Sequence, residues 1–492
     1  MAAPQQVSPV QETFLHDDSD TASEAGSESP SVMYQAEPFD TFKTRIHELT
    51  LTQIWPNANS DQITIERLRS SGFNRIIGIT WDVDNHKLQH VVRVPWFPDD
   101  DLAAQAAPLD LIKKHTKIPC AKIIQYDLST ENPLESPYMI QDHVPGVDLH
   151  SLMHNQETGK VDNKISHHGW QKLARELGSI TRQMLSTRST VAGTIVLSPD
   201  RAKSLHIAPF PTTTSDSAST TSRPYISCVQ SEITPSRISD LLTSLFTFER
   251  EKELAEGTRA DLPSPWPHLI TLTSELYSQG HFQNLNYALC HPDLLPRNIL
   301  VSPQFLSGTR SSTKSSIAAI LDWDSALLAP SFMACRPPAW LWNHGEEYEV
   351  AQSNEADESE RNTKVEPNTR EGEIIKQIFD EAAGEEYVRL AYDPVYVLLR
   401  QLFKFAIGGV NNSDQLELAR RLVEEWEEIK RGKNLKEGDD EGADEAENGL
   451  LSPITEQPSA QESPHQIRTQ TQSEGEKKGK VAKIWKKRCV VM

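Results

Sequence analysis

The strongest constraint on how this chain can fold comes from two short polar motifs in its second half. The first runs from His291 to Asn298 and contains Asp293, five residues before the asparagine. The second runs from Leu321 to Asp324 and follows an apolar stretch typical of a strand. Carboxylate and amide oxygens are ligands that Mg²⁺ prefers. A pair of turn formers is common by itself, so the inference depends on the two motifs occurring in this order.

The first motif resembles the catalytic loop of the kinase-like fold, H-R-D-x-x-x-x-N, and Asp322 stands where that fold places its second metal ligand. Trp323 and Asp324 replace the Phe-Gly of protein kinases, and no Ala-Pro-Glu segment follows. The chain therefore resembles the aminoglycoside phosphotransferase and choline kinase branch of that fold. The segment Cys335–Trp342 is similar to fungal members of the aminoglycoside phosphotransferase family, and the resemblance covers residues 63–429.

This resemblance implies an α+β, bilobal protein-kinase-like fold, with a small antiparallel-sheet N-lobe and a mainly helical C-lobe, flanked by disordered tails. It also implies ATP- and Mg²⁺-dependent transfer of a phosphoryl group to a hydroxyl of a small molecule. Asp293 would accept the proton of that hydroxyl or position it, and Asn298 and Asp322 would bind the metal. We expect His291 to support the loop. We expect Asp324 to support the site or cap the next turn rather than bind the metal.

The N-lobe supplies the nucleotide-binding residues that the resemblance implies. The predicted strands cover residues 63–68, 73–81 and 88–94. The turn before the second strand, with Gly72 and Asn74, would cover the phosphates, since glycine lets backbone N–H groups approach an anion. Most glycine-containing turns bind nothing, so this assignment depends on the downstream motifs. Adenine would lie against the backbone of the segment that joins the lobes, at Gln141, Asp142 and His143.

Arg93 falls where the family places the lysine that holds the α- and β-phosphates. A guanidinium can bind phosphate through two parallel hydrogen bonds, so Arg93 could hold the phosphates in place of the lysine, with a different geometry. The helix predicted over residues 102–115 has Gln105 where the family has a glutamate, so the usual ion pair cannot form there. The alternative is that Arg93 is an exposed strand residue with no part in binding.

Composition limits the folded part of this 492-residue chain. Apolar residues make up 37% and the formal net charge is −21. The predicted organisation is a disordered acidic segment 1–40, an N-lobe 41–140, a C-lobe 141–431 with insertions near 199–224 and 346–373, and a disordered tail 432–492. The folded part has no basic stripe, which argues against a nucleic-acid partner. Five cysteines without metal-binding spacing, and no signal peptide at the N-terminus, indicate a reducing compartment.

The C-terminal tail carries two signals for membrane attachment. Its last four residues, Cys489 to Met492, match the C-a-a-X signal, and the terminal methionine favours a farnesyl group on the cysteine. Basic residues lie just upstream, at Lys477, Lys478, Lys480, Lys483, Lys486, Lys487 and Arg488. A lipid chain and a polybasic patch together give stable attachment to an anionic surface. We therefore expect the protein on the cytosolic face of a membrane. The alternatives are a chance match and a nuclear import signal.

Three interpretations of function remain open from the sequence. A small-molecule phosphotransferase is favoured by the intact set of Asp293, Asn298 and Asp322. A catalytically silent kinase-like module at the membrane, which binds nucleotide or a protein partner, is favoured by Arg93 with Gln105. A protein kinase is disfavoured because the Ala-Pro-Glu segment is missing. The acceptor of a phosphotransferase could be an aminoglycoside, a choline-like alcohol, an amino-acid hydroxyl or a sugar.

Overall fold

The structure is a computed structural model. It describes residues 37–68, 74–83, 86–97, 102–154, 164–197, 205–210, 237–256, 264–306, 315–344 and 366–446, with side chains up to residue 432. The described chain begins with helix α1 (Phe39–Leu49), which continues as a π-helical turn (Thr50–Ile54) and is followed by a 3₁₀ turn (Ser60–Gln62).

An antiparallel sheet of five strands forms the N-lobe. Its strands are β1 (Ile63–Arg67), β2 (Asn74–Val83), β3 (His86–Pro95), β4 (Ile123–Asp127) and β5 (Tyr138–Asp142). They lie in the order β1-β2-β3-β5-β4, and every neighbouring pair is antiparallel. The three strands predicted from the sequence are therefore confirmed to within a few residues. Phe42, Ile46 and Leu49 of α1 bury their side chains in one apolar cluster with Ile79 and Val92 of the sheet.

Helix α2 (Leu102–His115) forms at the predicted position, but its buried face belongs to the C-lobe core. Leu102, Ala106 and Ile112 lie in the same apolar cluster as Trp170 of the large lobe. The helix packs against strand β8 (Gly193–Leu197) and against the turn that follows Asp322. It therefore connects the N-lobe sheet to the C-lobe.

Two smaller sheets lie in the C-lobe. One has the strand order β7-β10-β13-β8-β9, formed by β7 (Arg188–Ser189), β10 (Tyr287–Cys290), β13 (Leu327–Pro330), β8 and β9 (Leu205–Ala208). The other has the order β12-β11-β6, formed by β12 (Ile317–Ile320), β11 (Ile299–Val301) and β6 (Val147–Asp148). Strand β9 falls within the range 199–224 that was predicted to be an insertion. Its residues pair with β8, so this part of the range belongs to the sheet.

The remainder of the C-lobe is mainly helical, as predicted. The helices are α3 (Leu149–Met153), α4 (His167–Ser186), α5 (Ile238–Glu256), α6 (Trp266–Ser278), α7 (Pro303–Leu306), α8 (Ala339–Trp342), α9 (Arg370–Ala383), α10 (Glu385–Tyr392), α11 (Pro394–Gly408) and α12 (Ser413–Ala446). In α4 the apolar stripe predicted from helical periodicity is buried. Its members are Trp170, Leu173, Leu177, Ile180 and Met184.

Two helix boundaries differ from the expectation. Helix α9 begins at Arg370, inside the predicted insertion 346–373, because Thr369 Oγ1 accepts a hydrogen bond of 3.0 Å from the Gly372 N–H and caps the helix. Helix α12 continues to Ala446, beyond the predicted C-lobe end at 431, while the compact part of the chain ends at Lys433. Among the described helices, none is long and apolar enough to span a lipid bilayer.

Candidate active site

The loop between β10 and β11 carries the first motif. A 3₁₀ turn (Pro296–Asn298) closes the loop immediately before β11. Asn298 Nδ2 donates to the backbone oxygen of Asp293 at 2.9 Å and to its carboxylate Oδ2 at 2.8 Å. Because the nitrogen of this buried amide faces Asp293, its Oδ1 is the atom left for a metal. The structure therefore brings the predicted catalytic aspartate and the first predicted metal ligand into direct contact.

His291 supports the same loop. Its Nδ1 accepts a hydrogen bond of 3.2 Å from the Asp293 N–H, so Nε2 carries the proton that faces the Leu321 carbonyl at 2.9 Å. The ring packs edge-on against Trp323, with 4.6 Å between the ring centroids. Burial lowers the pKa of His291, which keeps the ring neutral. These contacts make the histidine a structural link between the two motifs.

Asp322 follows β12 in a left-handed backbone conformation, with φ 59° and ψ 52°. Aspartate is one of the few residues that adopts this conformation at modest cost. The Leu321 N–H just before it donates to the Asn298 carbonyl at 2.8 Å. Both predicted metal ligands are therefore positioned by adjoining segments of backbone.

Arg297 is a site residue that the sequence argument missed. Its Nη2 donates to both carboxylate oxygens of Asp293, at 2.8 and 2.7 Å. The Arg297 side chain is half-exposed, so water screens the pair. The only sequence signal was the four-residue spacing between the two charges inside a short turn.

Arg93 lies on β3 and reaches across to the second motif. Its Nη2 donates to Asp324 Oδ2 at 2.5 Å, and the two side chains are only 10% and 2% exposed. The same nitrogen lies 3.5 Å from Gln105 Oε1 on α2, at the limit of hydrogen bonding. The alternative that Arg93 is an exposed strand residue is therefore wrong, because its side chain is buried against Asp324 and Gln105. Asp324 forms a long-range ion pair with Arg93, and its support of a binding site stays a prediction.

Three buried polar atoms in this cluster have no hydrogen-bond partner within the described part of the chain. They are Arg93 Nε, Gln105 Nε2 and Asp324 Oδ1. A buried polar atom without a partner costs free energy, so such atoms indicate a place where water or a ligand binds. Two of the three are donors, which suits the oxygens of a phosphate. The residues present therefore fit a nucleotide phosphate beside Arg93.

The segment predicted to hold adenine lies at the end of β5. The Asp142 N–H donates to Lys122 O at 2.9 Å, and the His143 N–H donates to Gln89 O at 3.2 Å. Gln141 is buried between β3 and β4. Because these two N–H groups already donate within the N-lobe, the adenine prediction for Gln141, Asp142 and His143 depends on their other backbone groups.

The remaining predicted site residues are not brought to the cluster by the described structure. Asn74 begins β2 and is fully buried, and neither polar atom of its amide has a partner among the described residues. Its contact with phosphate stays a prediction. Gly72 and Cys489 lie outside the described residues.

A cavity of about 580 Å³ lies beside helices α5 and α6. Arg237, Ser239, Tyr277, Gln283 and Tyr287 are among its lining residues. Tyr287 begins β10, whereas the Asp293 loop follows the other end of that strand. No residue of the Asp293 loop is among those that line the cavity, so nothing connects it to the candidate catalytic aspartate.

The described chain has an α+β architecture with an antiparallel-sheet N-lobe and a mainly helical C-lobe, and the Arg93–Asp324 ion pair joins the second motif to the N-lobe sheet. No family model matches the chain, and no curated protein matches it. The solved GDP complex of wild-type aminoglycoside 2′-phosphotransferase-IIIa is 13% identical and aligns over 78% of this chain and 97% of its own, with a TM-score of 0.39. An ethanolamine kinase from Plasmodium vivax is 12% identical over 82% of this chain and 96% of its own, with a TM-score of 0.36.

The choline kinase LicA from Streptococcus pneumoniae is also similar, with 12% identity, coverage of 77% of this chain and 98% of its own, and a TM-score of 0.34. These structures belong to the two groups that the motifs resemble. The likeness to fungal members stays a prediction. At such low similarity the neighbours carry no argument about activity, which has to come from this chain's own residues.

Proposed function

We propose that this protein is an ATP- and Mg²⁺-dependent phosphotransferase that acts on a hydroxyl of a small molecule. One observation carries the proposal. Asp293 accepts a hydrogen bond from the Asn298 amide, and Asn298 in turn accepts one from the backbone directly before Asp322. These contacts support a site in which Asp293 serves the acceptor while Asn298 and Asp322 bind a metal, which is the minimum that phosphoryl transfer requires of a protein.

In the proposed reaction the acceptor hydroxyl lies against the Asp293 carboxylate. The hydroxyl oxygen forms a bond to the γ-phosphorus of ATP, and the bond between that phosphorus and the bridging oxygen of ADP breaks. The hydroxyl proton passes to Asp293, and the products are a phosphate monoester and ADP. The hydrogen bonds from Asn298 and Arg297 fix the carboxylate, so its orientation is set before the acceptor binds.

The residues at the site fit the groups that this reaction needs. Asn298 Oδ1 and the Asp322 carboxylate would hold Mg²⁺, and the free donors of Arg93 and Gln105 would meet phosphate oxygens. When bound, the metal neutralises charge on the phosphates. No cluster of three or more His, Cys, Asp or Glu side chains occurs in the described part of the chain. The proposed metal ligands are therefore an amide and a carboxylate, Asn298 and Asp322, completed by phosphate and water oxygens.

The proposal is tested by turnover of Mg²⁺-ATP with purified protein and a panel of aminoglycosides, choline-like alcohols, hydroxylated amino acids and sugars. We expect one chemical class to give ADP and a phosphate monoester. The Asp293→Asn variant keeps the shape of the side chain and should lose about 10²–10⁴-fold in rate, the usual contribution of a general base. A wild-type protein that binds nucleotide but phosphorylates none of these acceptors would instead favour the catalytically silent module.

We also propose that a farnesyl group on Cys489 and the basic residues between Lys477 and Arg488, here called the basic cluster, attach the protein to the cytosolic face of an anionic membrane. Support comes from the match of the last four residues to the C-a-a-X signal and from the adjacent cluster. The Cys489→Ser variant should move from the membrane fraction to the cytosol, because the cluster alone lacks an apolar anchor.

A matched variant with Lys483, Lys486, Lys487 and Arg488 neutralised separates the two signals. It keeps the lipid and should remain attached more weakly, because a single chain binds reversibly. Attachment of the wild type should also weaken as salt rises. If the Cys489→Ser protein fractionates and localises as the wild type does, the tail motif is a chance match.

A further inference from the structure

We propose that Asp324 replaces the missing helix glutamate and positions Arg93 for the phosphates of the nucleotide. The inference rests on the proposed function, since it assumes that a nucleotide binds at this junction. In the kinase-like pattern the phosphate-binding cation of the third strand pairs with a glutamate on the following helix. Here the helix offers the neutral Gln105, and the acidic partner of Arg93 comes from the turn after the metal ligand Asp322.

Asp324 is well held for such a role. It lies in a 3₁₀ turn (Trp323–Ser325) that starts directly after Asp322. Trp323 is buried, and its Nε1 donates to Ile320 O at 3.0 Å while its ring packs on His291. The carboxylate is therefore fixed by a rigid turn rather than by a flexible surface loop. A carboxylate so deeply buried also requires a cationic partner, which Arg93 provides.

The ion pair orients Arg93 without using all of its hydrogen-bonding capacity. Only Nη2 of the guanidinium donates to Asp324, and Nε is buried without a partner among the described residues. Gln105 Nε2, the nitrogen of the amide whose oxygen faces Arg93 Nη2, is a second buried donor without a partner among the described residues. An anion beside Arg93 would satisfy both donors. This arrangement differs from a neutralised structural ion pair, in which the donors of the arginine would be consumed.

The pairing also changes which parts of the molecule are connected. Arg93 and Asp324 are 231 residues apart and belong to different lobes. If the partner of Arg93 were a glutamate at position 105 of the helix, the pair would be only 12 residues apart in the sequence. The side chain that meets the phosphates is thus attached to the turn that follows the proposed metal ligand. Nucleotide binding should therefore depend on Asp324 even when no metal is present.

The test is direct binding of ADP to the full-length protein by calorimetry, with and without Mg²⁺. Asp324→Asn removes the charge and keeps the shape, and we expect ADP to bind about tenfold more weakly under both conditions, a loss typical of a hydrogen bond to a charged group. Adding Gln105→Glu to that variant returns a carboxylate to within reach of the same arginine nitrogen. We expect this double variant to bind ADP within about threefold of the wild type, a difference below the 1.4 kcal/mol that a factor of ten represents.

Asp110→Asn is the matched control, because it removes one acidic charge from the outer face of α2, where Asp110 pairs with Lys114. It should bind ADP as the wild type does. If Asp324→Asn fails to fold, the double variant decides alone, since it keeps the charge balance around Arg93. A folded double variant without ADP affinity overturns the inference.

Other outcomes also overturn it. A loss seen only with Mg²⁺ and not rescued by Gln105→Glu would make Asp324 a metal ligand, and an Asp324→Asn protein that binds ADP normally would make the pair irrelevant to binding. Wild-type protein that binds ADP but transfers no phosphoryl group overturns the proposed reaction and leaves this inference standing. Wild-type protein that binds no ADP overturns both.

Discussion

The two ends of the candidate site are built in different ways. At the catalytic end, Asp293 and Asn298 are five residues apart, and their side chains and backbone bond to one another within a single loop. At the phosphate end, Arg93, Gln105 and Asp324 come from a strand, a helix and a distant turn. The catalytic end is held by local backbone geometry, whereas the phosphate end is held by one buried long-range ion pair.

The difference shows where each end is vulnerable. The catalytic end has its described hydrogen bonds already in place, so a substitution there should affect the chemistry more than the fold. The phosphate end contains buried polar atoms that have no partner among the described residues, so its stability and its ligand are linked. A substitution at the catalytic end should therefore lower activity more than stability. A substitution at the phosphate end should lower stability strongly as well.

The largest effect is expected at Asp322. Asp322→Asn should lower phosphoryl transfer at least about a hundredfold, because it removes a charged ligand of the metal, whose contribution is several kcal/mol. Asparagine tolerates the left-handed backbone at this position, whereas alanine would add about 1–2 kcal/mol of strain. The measurements are turnover and thermal unfolding of the same preparation. Unchanged turnover would remove Asp322 from the site, and a large loss of stability would contradict the division between the two ends.

At the phosphate end, Arg93→Ala should impair both binding and folding. It leaves Asp324 buried without its partner, which should cost about 3–5 kcal/mol in the free energy of unfolding. Nucleotide affinity should fall with it. Lys87→Ala, on the exposed end of the same strand, is the matched control and should change stability by no more than about 0.5 kcal/mol. Equal, small effects of the two substitutions would show that the ion pair contributes nothing.

A smaller effect concerns pH and the support of the catalytic loop. Because burial lowers the pKa of His291, the folded protein binds fewer protons there than the unfolded chain does. The free energy of unfolding should therefore fall as the pH drops below the ordinary histidine pKa, about 6.5, and continue to fall until the pH reaches the lowered pKa of the folded state.

His291→Gln should make this decline shallower, as measured by urea unfolding between pH 8 and pH 5. Some decline should remain, because burial also lowers the pKa of His90 and His344. If the variant and the wild type lose stability in parallel, His291 does not contribute to the pH dependence.

The smallest effect is expected for Arg297. Its pair with Asp293 is exposed to water, so Arg297→Ala should change the free energy of unfolding by less than about 1 kcal/mol and turnover by less than about tenfold. Steady-state kinetics and thermal unfolding measure both quantities. A much larger loss of turnover with unchanged stability would mean that Arg297 contacts the reacting phosphate as well as the catalytic aspartate.

The spacing along one loop indicated that Asp293 and Asn298 meet, and their side chains are hydrogen-bonded to one another. The backbone directly before Asp322 donates to Asn298, while the metal-binding role of the two residues stays a prediction. The periodic stripe of α4 is buried as expected. The strands of the N-lobe were recognisable from their apolar, β-branched composition. The sequence was therefore sufficient for features that depend on short stretches of the chain.

The sequence could not predict the pairing of Arg93 with Asp324, since no local signal joins residues so far apart. The start of α9 was missed because its charged residues resemble the preceding insertion, although Thr369 is a recognisable cap. The burial of Asn74 depends on the packing of the whole N-lobe. Long-range packing therefore decided the features that spacing alone left open.

Helix α2 has a consequence for how such a protein can be controlled. Protein kinases can be switched by moving the corresponding helix in and out of place. Here Leu102, Ala106 and Ile112 are embedded in the core of the large lobe and the helix packs on β8, so displacing it would expose that core to water. Moving a helix fixed in this way would cost the free energy of that buried surface, which makes it a poor switch.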